Sequence, residues 1–133
     1  MNYVYLIKEE LVNIHDAILS ESGGDQGIYG GLIDLCVESP QREVYSYEPH
    51  KTLLEKAAAL MYNVNTLHPF VDGNKRTAYV ATNVFLEFNG CTIVATKEEG
   101  VEIALEIANG NMDVNDITSW LEEHTREMPT IDL

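Results

Sequence analysis

The residues of this chain that are best suited to chemistry fall in one short stretch, from His68 to Arg76. It contains a histidine, a carboxylate at Asp72, a glycine at Gly73 and two adjacent cations, Lys75 and Arg76. The whole chain has only 8 lysines and arginines and a formal net charge of -14. Two neighbouring cations in so acidic a chain indicate a local anion-binding site.

A phosphate is the anion that this position suits best. The stretch runs directly into a predicted helix over residues 74–89, and a helix start offers free backbone N–H groups and a partial positive charge. Gly73 lets the backbone turn and approach a ligand closely. The pattern therefore predicts a phosphate site formed by Gly73, Asn74, Lys75 and Arg76.

Asp72 and His68 extend this site towards catalysis. Asp72 alone would repel a phosphate, but a Mg²⁺ ion would bridge the carboxylate to phosphate oxygens. A neutral His68 can act as a general base, because the reference pKa of histidine is close to the working pH. Together these groups outline a phosphoryl- or nucleotidyl-transfer site. The stretch contains no nucleophile, so the substrate would supply a hydroxyl.

Each of these residues also has a structural explanation. His68 before a proline is consistent with a turn, Asp72 and Asn74 with helix caps, and the two cations with an exposed helix surface. These explanations are favoured for any one residue, whereas the occurrence of all of them within one short stretch favours function. We interpret Phe70 as a core anchor for the loop and His15 as a packed or surface histidine.

The surrounding pattern is predominantly helical. Apolar spacing and cap signals predict helices over residues 8–20, 32–38, 52–65, 74–89 and 97–109, with a last helix capped by Asp113. Residues 52–65 and 74–89 are the most apolar, so these two helices are predicted to be central. Residues 42–47 and 91–95 are predicted to be extended. We expect an all-α bundle with one small extended excursion, in a single domain over residues 1–133.

Composition excludes several other classes of protein. A chain of 133 residues that is 45% hydrophobic can fold as one domain. The acidic excess argues against a nucleic-acid surface, and no apolar run approaches the ~20 residues of a membrane span. Cys36 and Cys91 fit neither a metal spacing nor a disulfide framework, which favours a reduced, cytoplasmic setting.

The stretch from His68 to Arg76 resembles the Fic signature, His-Pro-Phe-x-Asp/Glu-Gly-Asn-x-Arg. The wider chain, roughly Tyr3 to His124, is similar to the Doc (death-on-curing) branch of the Fic/Doc family. The similarity rests on Tyr5-Leu6-Ile7-Lys8-Glu9-Glu10, Ile14-His15-Asp16, Gly27-Ile28 with Leu32, and Pro40-Gln41. It implies a Fic/Doc-type helical bundle with a small extended flap segment.

Two departures from the broad Fic pattern bear on the reaction. Lys75 stands where that pattern commonly has glycine, and Tyr79 stands where it has a second arginine. Both departures weaken the case for AMP transfer, and Lys75 to Ala78 match the Doc branch. The resemblance thus implies the toxin of a toxin–antitoxin pair, which transfers a phosphoryl group from ATP to a protein, elongation factor Tu, and inhibits translation.

The resemblance also implies roles for single residues. His68 would be the base, Asp72 would hold Mg²⁺, Gly73, Asn74 and Lys75 would line the anion hole, and Arg76 would bind phosphate. A second set of residues, in the extended segment, would form a flap that docks the target by strand addition. That set comprises Val44, Tyr45 and Tyr47. The alternative for this segment is a tyrosine-rich loop folded over the core.

The implied partners are ATP, Mg²⁺, a protein substrate and a Phd-like antitoxin, with no direct contact to nucleic acid or membrane. Two other functions stay open: a protein adenylyltransferase, and a binding module without catalytic activity. Ser119 and Glu123 have the spacing of a Fic inhibitory helix, but His124 follows, and we interpret the match as chance. Lys97 is expected to lie far from the signature, so its replacement should change little.

Overall fold

A computed structural model describes residues 2–43 and 47–129. Within these residues the chain forms six α-helices, one 3₁₀ turn and two short strands. In chain order they are α1 (Lys8–Ser22), α2 (Gly30–Glu38), the turn Ser39–Gln41, α3 (Leu53–Leu67), α4 (Asn74–Phe88), β1 (Cys91–Ile93), α5 (Lys97–Ala108), α6 (Val114–His124) and β2 (Thr125–Glu127). The helical bundle is confirmed.

Helices α3 and α4 form the centre of the bundle, as their apolar patterns indicate. The alanine run from Ala57 to Ala59 is completely buried, and small side chains let neighbouring helices approach closely. Phe85 of α4 is equally buried. The helices α1, α5 and α6 add the core residues Leu11, Ile103, Ile107, Ile117 and Leu121. The loop between α3 and α4 therefore joins the two central helices.

Local cap signals set where the later helices begin. Thr96 and Glu99 form a capping box at the start of α5, in which each side chain accepts from the backbone N–H of the other. Asp113 and Asp116 do the same for α6. Gly90, just beyond α4, has a φ of 84°, which glycine adopts at little cost. These starts agree with the sequence prediction.

The extended parts of the chain are less fully predicted. β1 was expected, but β2 was not, because three polar residues after a helix carry no strand pattern. The two pair antiparallel, with Cys91 opposite Glu127 and Ile93 opposite Thr125. Of the predicted flap, Val44 and Tyr45 lie outside the described residues, and Tyr47 is exposed.

Among the residues that the structure describes, no helix has the length and apolar character needed to cross a bilayer.

Candidate functional site

His68 is the first residue of the loop and has an unusual backbone. It follows the last residue of α3 with φ 52° and ψ 62°, and it is the only non-glycine residue with positive φ in the described part of the chain. A side chain adopts this left-handed conformation at a cost, so the surrounding structure must impose it. The His68 imidazole is exposed, and no described residue forms a hydrogen bond with it. It is free to meet a substrate.

The loop that follows His68 is fixed by its backbone. Tyr29 N–H donates to the Pro69 carbonyl at 2.8 Å, and Val71 N–H donates to the Gly27 carbonyl at 2.9 Å. These bonds form an isolated antiparallel bridge between Ile28 and Phe70. The loop is thus tied to the segment that connects α1 and α2.

Asn74, at the C-terminal end of the same loop, holds it by side-chain hydrogen bonds. Its Oδ1 accepts from Phe70 N–H at 3.0 Å, and its Nδ2 donates to the Phe70 carbonyl at 2.8 Å. Both polar atoms of the Asn74 side chain therefore bond to Phe70, and we assign its backbone N–H to the predicted anion hole. Phe70 itself is buried, which agrees with its interpretation as the anchor of the loop.

Asp72 presents a carboxylate with one oxygen held and one open. Oδ2 accepts from Asp25 N–H at 2.7 Å, and Oδ1 has no partner among the described residues. Those residues contain no cluster of three or more His, Cys, Asp and Glu side chains that could hold a metal. A single carboxylate oxygen still fits Mg²⁺, because this ion keeps several waters and takes its other ligands from substrate phosphates.

The start of α4 offers the groups expected for an anion. Gly73 precedes the helix with a φ of 82°, and the first intrahelical bond runs from Thr77 N–H to the Gly73 carbonyl. The N–H groups of the three residues before Thr77 are therefore open to a ligand. Lys75 and Arg76 are exposed, and neither forms an ion pair with a described residue. A cavity of about 410 Å³ brings together His68, Asp72, Gly73, Asn74, Lys75 and Arg76.

A second cavity of about 420 Å³ adjoins the first and shares Lys75 and Arg76 with it. It continues between α4 and α5, and most of its walls are apolar. Those walls include Tyr79, Val80, Gly100, Val101, Ala104 and Leu105. This space was not predicted, because its two walls come from helices that are separated along the chain.

Lys97 corrects an expectation from the sequence. It lines the second cavity together with Lys75 and Arg76 instead of lying far from them. The reason is that β1 returns the chain, so that the first turn of α5 lies beside the first turns of α4. Lys97 is thus the third cation among the residues that line this cavity.

Behind the second cavity the start of α5 is joined to the end of α6. The His124 ring stacks on Trp120, its Nδ1 donates to the Trp120 carbonyl at 2.7 Å, and its Nε2 donates to Glu99 at 2.9 Å. The bond to the carbonyl and then the Glu99 carboxylate raise the pKa of His124. Backbone bonding to Thr96 and the bond from His124 lower the pKa of Glu99.

His15 is the residue at this site whose part the sequence did not reveal. It is completely buried and lies under the loop, where its ring stacks on Phe70. Its Nε2 donates to the Asp72 carbonyl at 2.8 Å. Its place in the Ile14-His15-Asp16 motif was the available signal, but only the fold brings it to Asp72.

Comparison with known proteins agrees with this geometry. Residues 5–86, more than half of the chain, match the model of the Fic/DOC family. The chain is 37% identical over 93 residues to "Toxin Doc" of Mycolicibacterium smegmatis, which covers 68% of this chain and 72% of that protein. It is 30% identical over 118 residues to "Protein kinase doc" of Escherichia phage P1, and this match covers 88% of this chain and 92% of that protein. The chain belongs to the Fic/Doc family and to its Doc branch.

Proposed function

We propose that this chain is the toxin of a toxin–antitoxin pair and transfers a phosphoryl group from ATP to a hydroxyl of a protein. The two relatives named "Toxin Doc" and "Protein kinase doc" support both parts of the proposal. Elongation factor Tu is the target that the family resemblance suggests.

We prefer phosphoryl transfer because of the arrangement of the two cavities. They share Lys75 and Arg76; His68 lines the first cavity alone, and most of the walls of the second are apolar. An adenine and its ribose suit the apolar space between α4 and α5, because pockets for such ligands are mostly apolar. The phosphates then follow the start of α4, and the terminal phosphate comes closest to His68.

Each group at the site has a role in this scheme. His68 takes the proton from the target hydroxyl, whose oxygen attacks the terminal phosphorus while the bond from that phosphorus to the leaving ADP oxygen breaks. The N–H groups at the start of α4, with Lys75 and Arg76, stabilise the charge on the phosphate oxygens. Asp72 would hold a Mg²⁺ ion, which neutralises phosphate charge when bound.

The partners in this proposal are a Phd-like antitoxin, which restrains the toxin, and the protein target. The segment containing Val44, Tyr45 and Tyr47 would dock the target chain by strand addition. The reaction would take place in the cytoplasm, where ATP and elongation factor Tu occur together.

The reaction is tested by the intact mass of elongation factor Tu after incubation with the purified chain, ATP and Mg²⁺. We expect the mass of one phosphate to be added, and none to be added by His68→Ala. Addition of one AMP would show that the nucleotide binds in the opposite orientation and that the chain is an adenylyltransferase. No change in this target or in any protein of a cytoplasmic extract would favour a binding module.

A further inference from the structure

His15 is a buried histidine that the proposed reaction does not use. It lies in the middle of α1 with 0% of its surface exposed. Its ring is nearly parallel to that of Phe70, with 3.8 Å between the centroids and 5° between the planes. Since Phe70 is the buried residue that anchors the loop, the loop packs against the His15 ring.

The ring nitrogens fix the orientation of His15. Nε2 donates to the backbone carbonyl of Asp72, and Nδ1 lies 3.2 Å from a carboxylate oxygen of Asp16. The bond to Asp72 connects residues that are 57 positions apart. The bond is part-buried, and removal of its donor would leave the Asp72 carbonyl without this partner.

This bond acts on the peptide that joins Asp72 to Gly73. The C=O and N–H of a trans peptide point in opposite directions. By holding the Asp72 carbonyl, His15 turns the N–H of Gly73 away from α1. Both residues line the cavity at the start of α4, so the same bond orients a carboxylate and an N–H group of the site.

Two neighbouring glycines show how little space this arrangement leaves. A Cβ at Gly73 would lie 3.2 Å from Leu19 and 3.7 Å from the His15 ring. A Cβ at Gly24 would lie 3.3 Å from the Cβ of Asp72. With Asp25 N–H on one carboxylate oxygen, Asp72 is held from both its backbone and its side chain.

We propose that His15 is a positioning residue of the transfer site, which places Asp72 and the Gly73 N–H for a magnesium-bound nucleotide. It touches neither substrate nor reacting atoms. The proposal rests on the function proposed above, and it assigns the hydrogen bond at Nε2, not the ring stack, as the element that positions the site.

Two variants separate the hydrogen bond from the stack. His15→Phe keeps an aromatic ring against Phe70 but cannot donate. His15→Gln has no ring but places an amide N–H close to the position of Nε2. Leu11→Ala is the matched control, because it removes a buried side chain from the same helix but no hydrogen bond to the loop.

The readout is the affinity for a non-hydrolysable ATP analogue, measured by calorimetry with and without Mg²⁺ at a temperature where every variant is folded. We expect His15→Phe to lose roughly 10- to 100-fold in affinity with Mg²⁺, as residues that support metal ligands do. His15→Gln should keep most of the affinity, and Leu11→Ala should lower the melting temperature alone. If His15→Phe does not fold, His15→Met replaces it as the variant that cannot donate.

Equal affinity in all folded variants would overturn the proposal. A loss in His15→Gln that equals or exceeds the loss in His15→Phe would also overturn it, since an N–H donor without the ring would then not support the site. The proposed function fails differently: the parent itself would transfer nothing, or would not bind the analogue.

Discussion

The charged side chains at the start of α4 and those between α5 and α6 differ in whether they have partners within the chain. At the start of α4, His68, Lys75 and Arg76 have no ion pair or side-chain hydrogen bond with any described residue, although the backbone around them is firmly tied. Between α5 and α6, Glu99 and His124 are bonded to each other and to nearby backbone. The bonded side chains of Glu99 and His124 stabilise the fold. The unpaired side chains at the start of α4 are available to bind a ligand.

The largest expected effect comes from His68→Ala. Loss of a general base costs ~10²–10⁴ in rate. The His68 side chain is exposed and has no hydrogen bond among the described residues, so the melting temperature should stay unchanged. Single-turnover transfer to elongation factor Tu, with thermal unfolding beside it, measures both. A variant as active as the parent would remove His68 from the reaction.

Arg76→Ala should reduce the rate of transfer almost as much as His68→Ala. Removal of one preorganised charge from a transfer site costs ~10²–10³ in rate. Arg126→Ala is the matched control: it removes an exposed cation from β2, opposite Thr92 of β1, that lines neither cavity. Equal losses in both variants would mean that overall charge, not the site, governs the rate.

A third change tests the apolar cavity directly. Ala104→Phe would fill the space between α4 and α5, and we expect it to raise the KM for ATP about tenfold, which corresponds to ~1.4 kcal/mol of binding. Ala108→Phe places the same side chain on an exposed position of the same helix and should change little. An unchanged KM in both variants would place the nucleoside elsewhere.

Asn74→Ala distinguishes the support of the loop from its chemistry. Phe70 would lose both of its hydrogen bonds to this side chain, and the stability should fall by about 1–3 kcal/mol, because buried backbone groups would lack partners. Urea unfolding measures this loss. A variant as stable as the parent would show that the loop does not depend on Asn74.

The smallest effect is expected for the melting temperature when the hydrogen-bonded pair of His124 and Glu99, behind the second cavity, is broken. Because its pKa is raised in the folded chain, His124 adds stability below its unfolded pKa of ~6.5, and this contribution disappears as the pH rises through the folded value. The pKa of Glu99 is lowered in the folded chain, so Glu99 adds stability above its unfolded pKa and loses that stability at low pH. The melting temperature of the parent should therefore exceed that of His124→Gln at mildly acidic pH, and the difference should shrink towards alkaline pH. A constant difference would contradict the role of the charge.

The parts of the fold that depend on neighbouring residues were predictable. The capping box of Thr96 with Glu99, the cap at Asp113 and the apolar spacing of α3 and α4 are local signals, and they gave the helices nearly as observed. The signature residues also came together as expected, since a short loop and one helical turn cannot separate them.

What the sequence could not show depends on contacts between distant segments. The bond from His15 to Asp72, the presence of Lys97 in a cavity that Lys75 also lines, and the pairing of β2 with β1 all require the folded arrangement. The side chain of Asn74 is a subtler case, because an amide suits an anion hole and a buried backbone bridge equally well. Its geometry, and not its type, decides between them.

A crystal structure with a non-hydrolysable ATP analogue and Mg²⁺ would show whether the start of α4 binds phosphate. We expect the terminal phosphate at Gly73 to Arg76, beside His68, with Asp72 holding the metal and the base between α4 and α5. A base lying next to His68 would contradict phosphoryl transfer, and a start of α4 without bound phosphate would contradict the site itself.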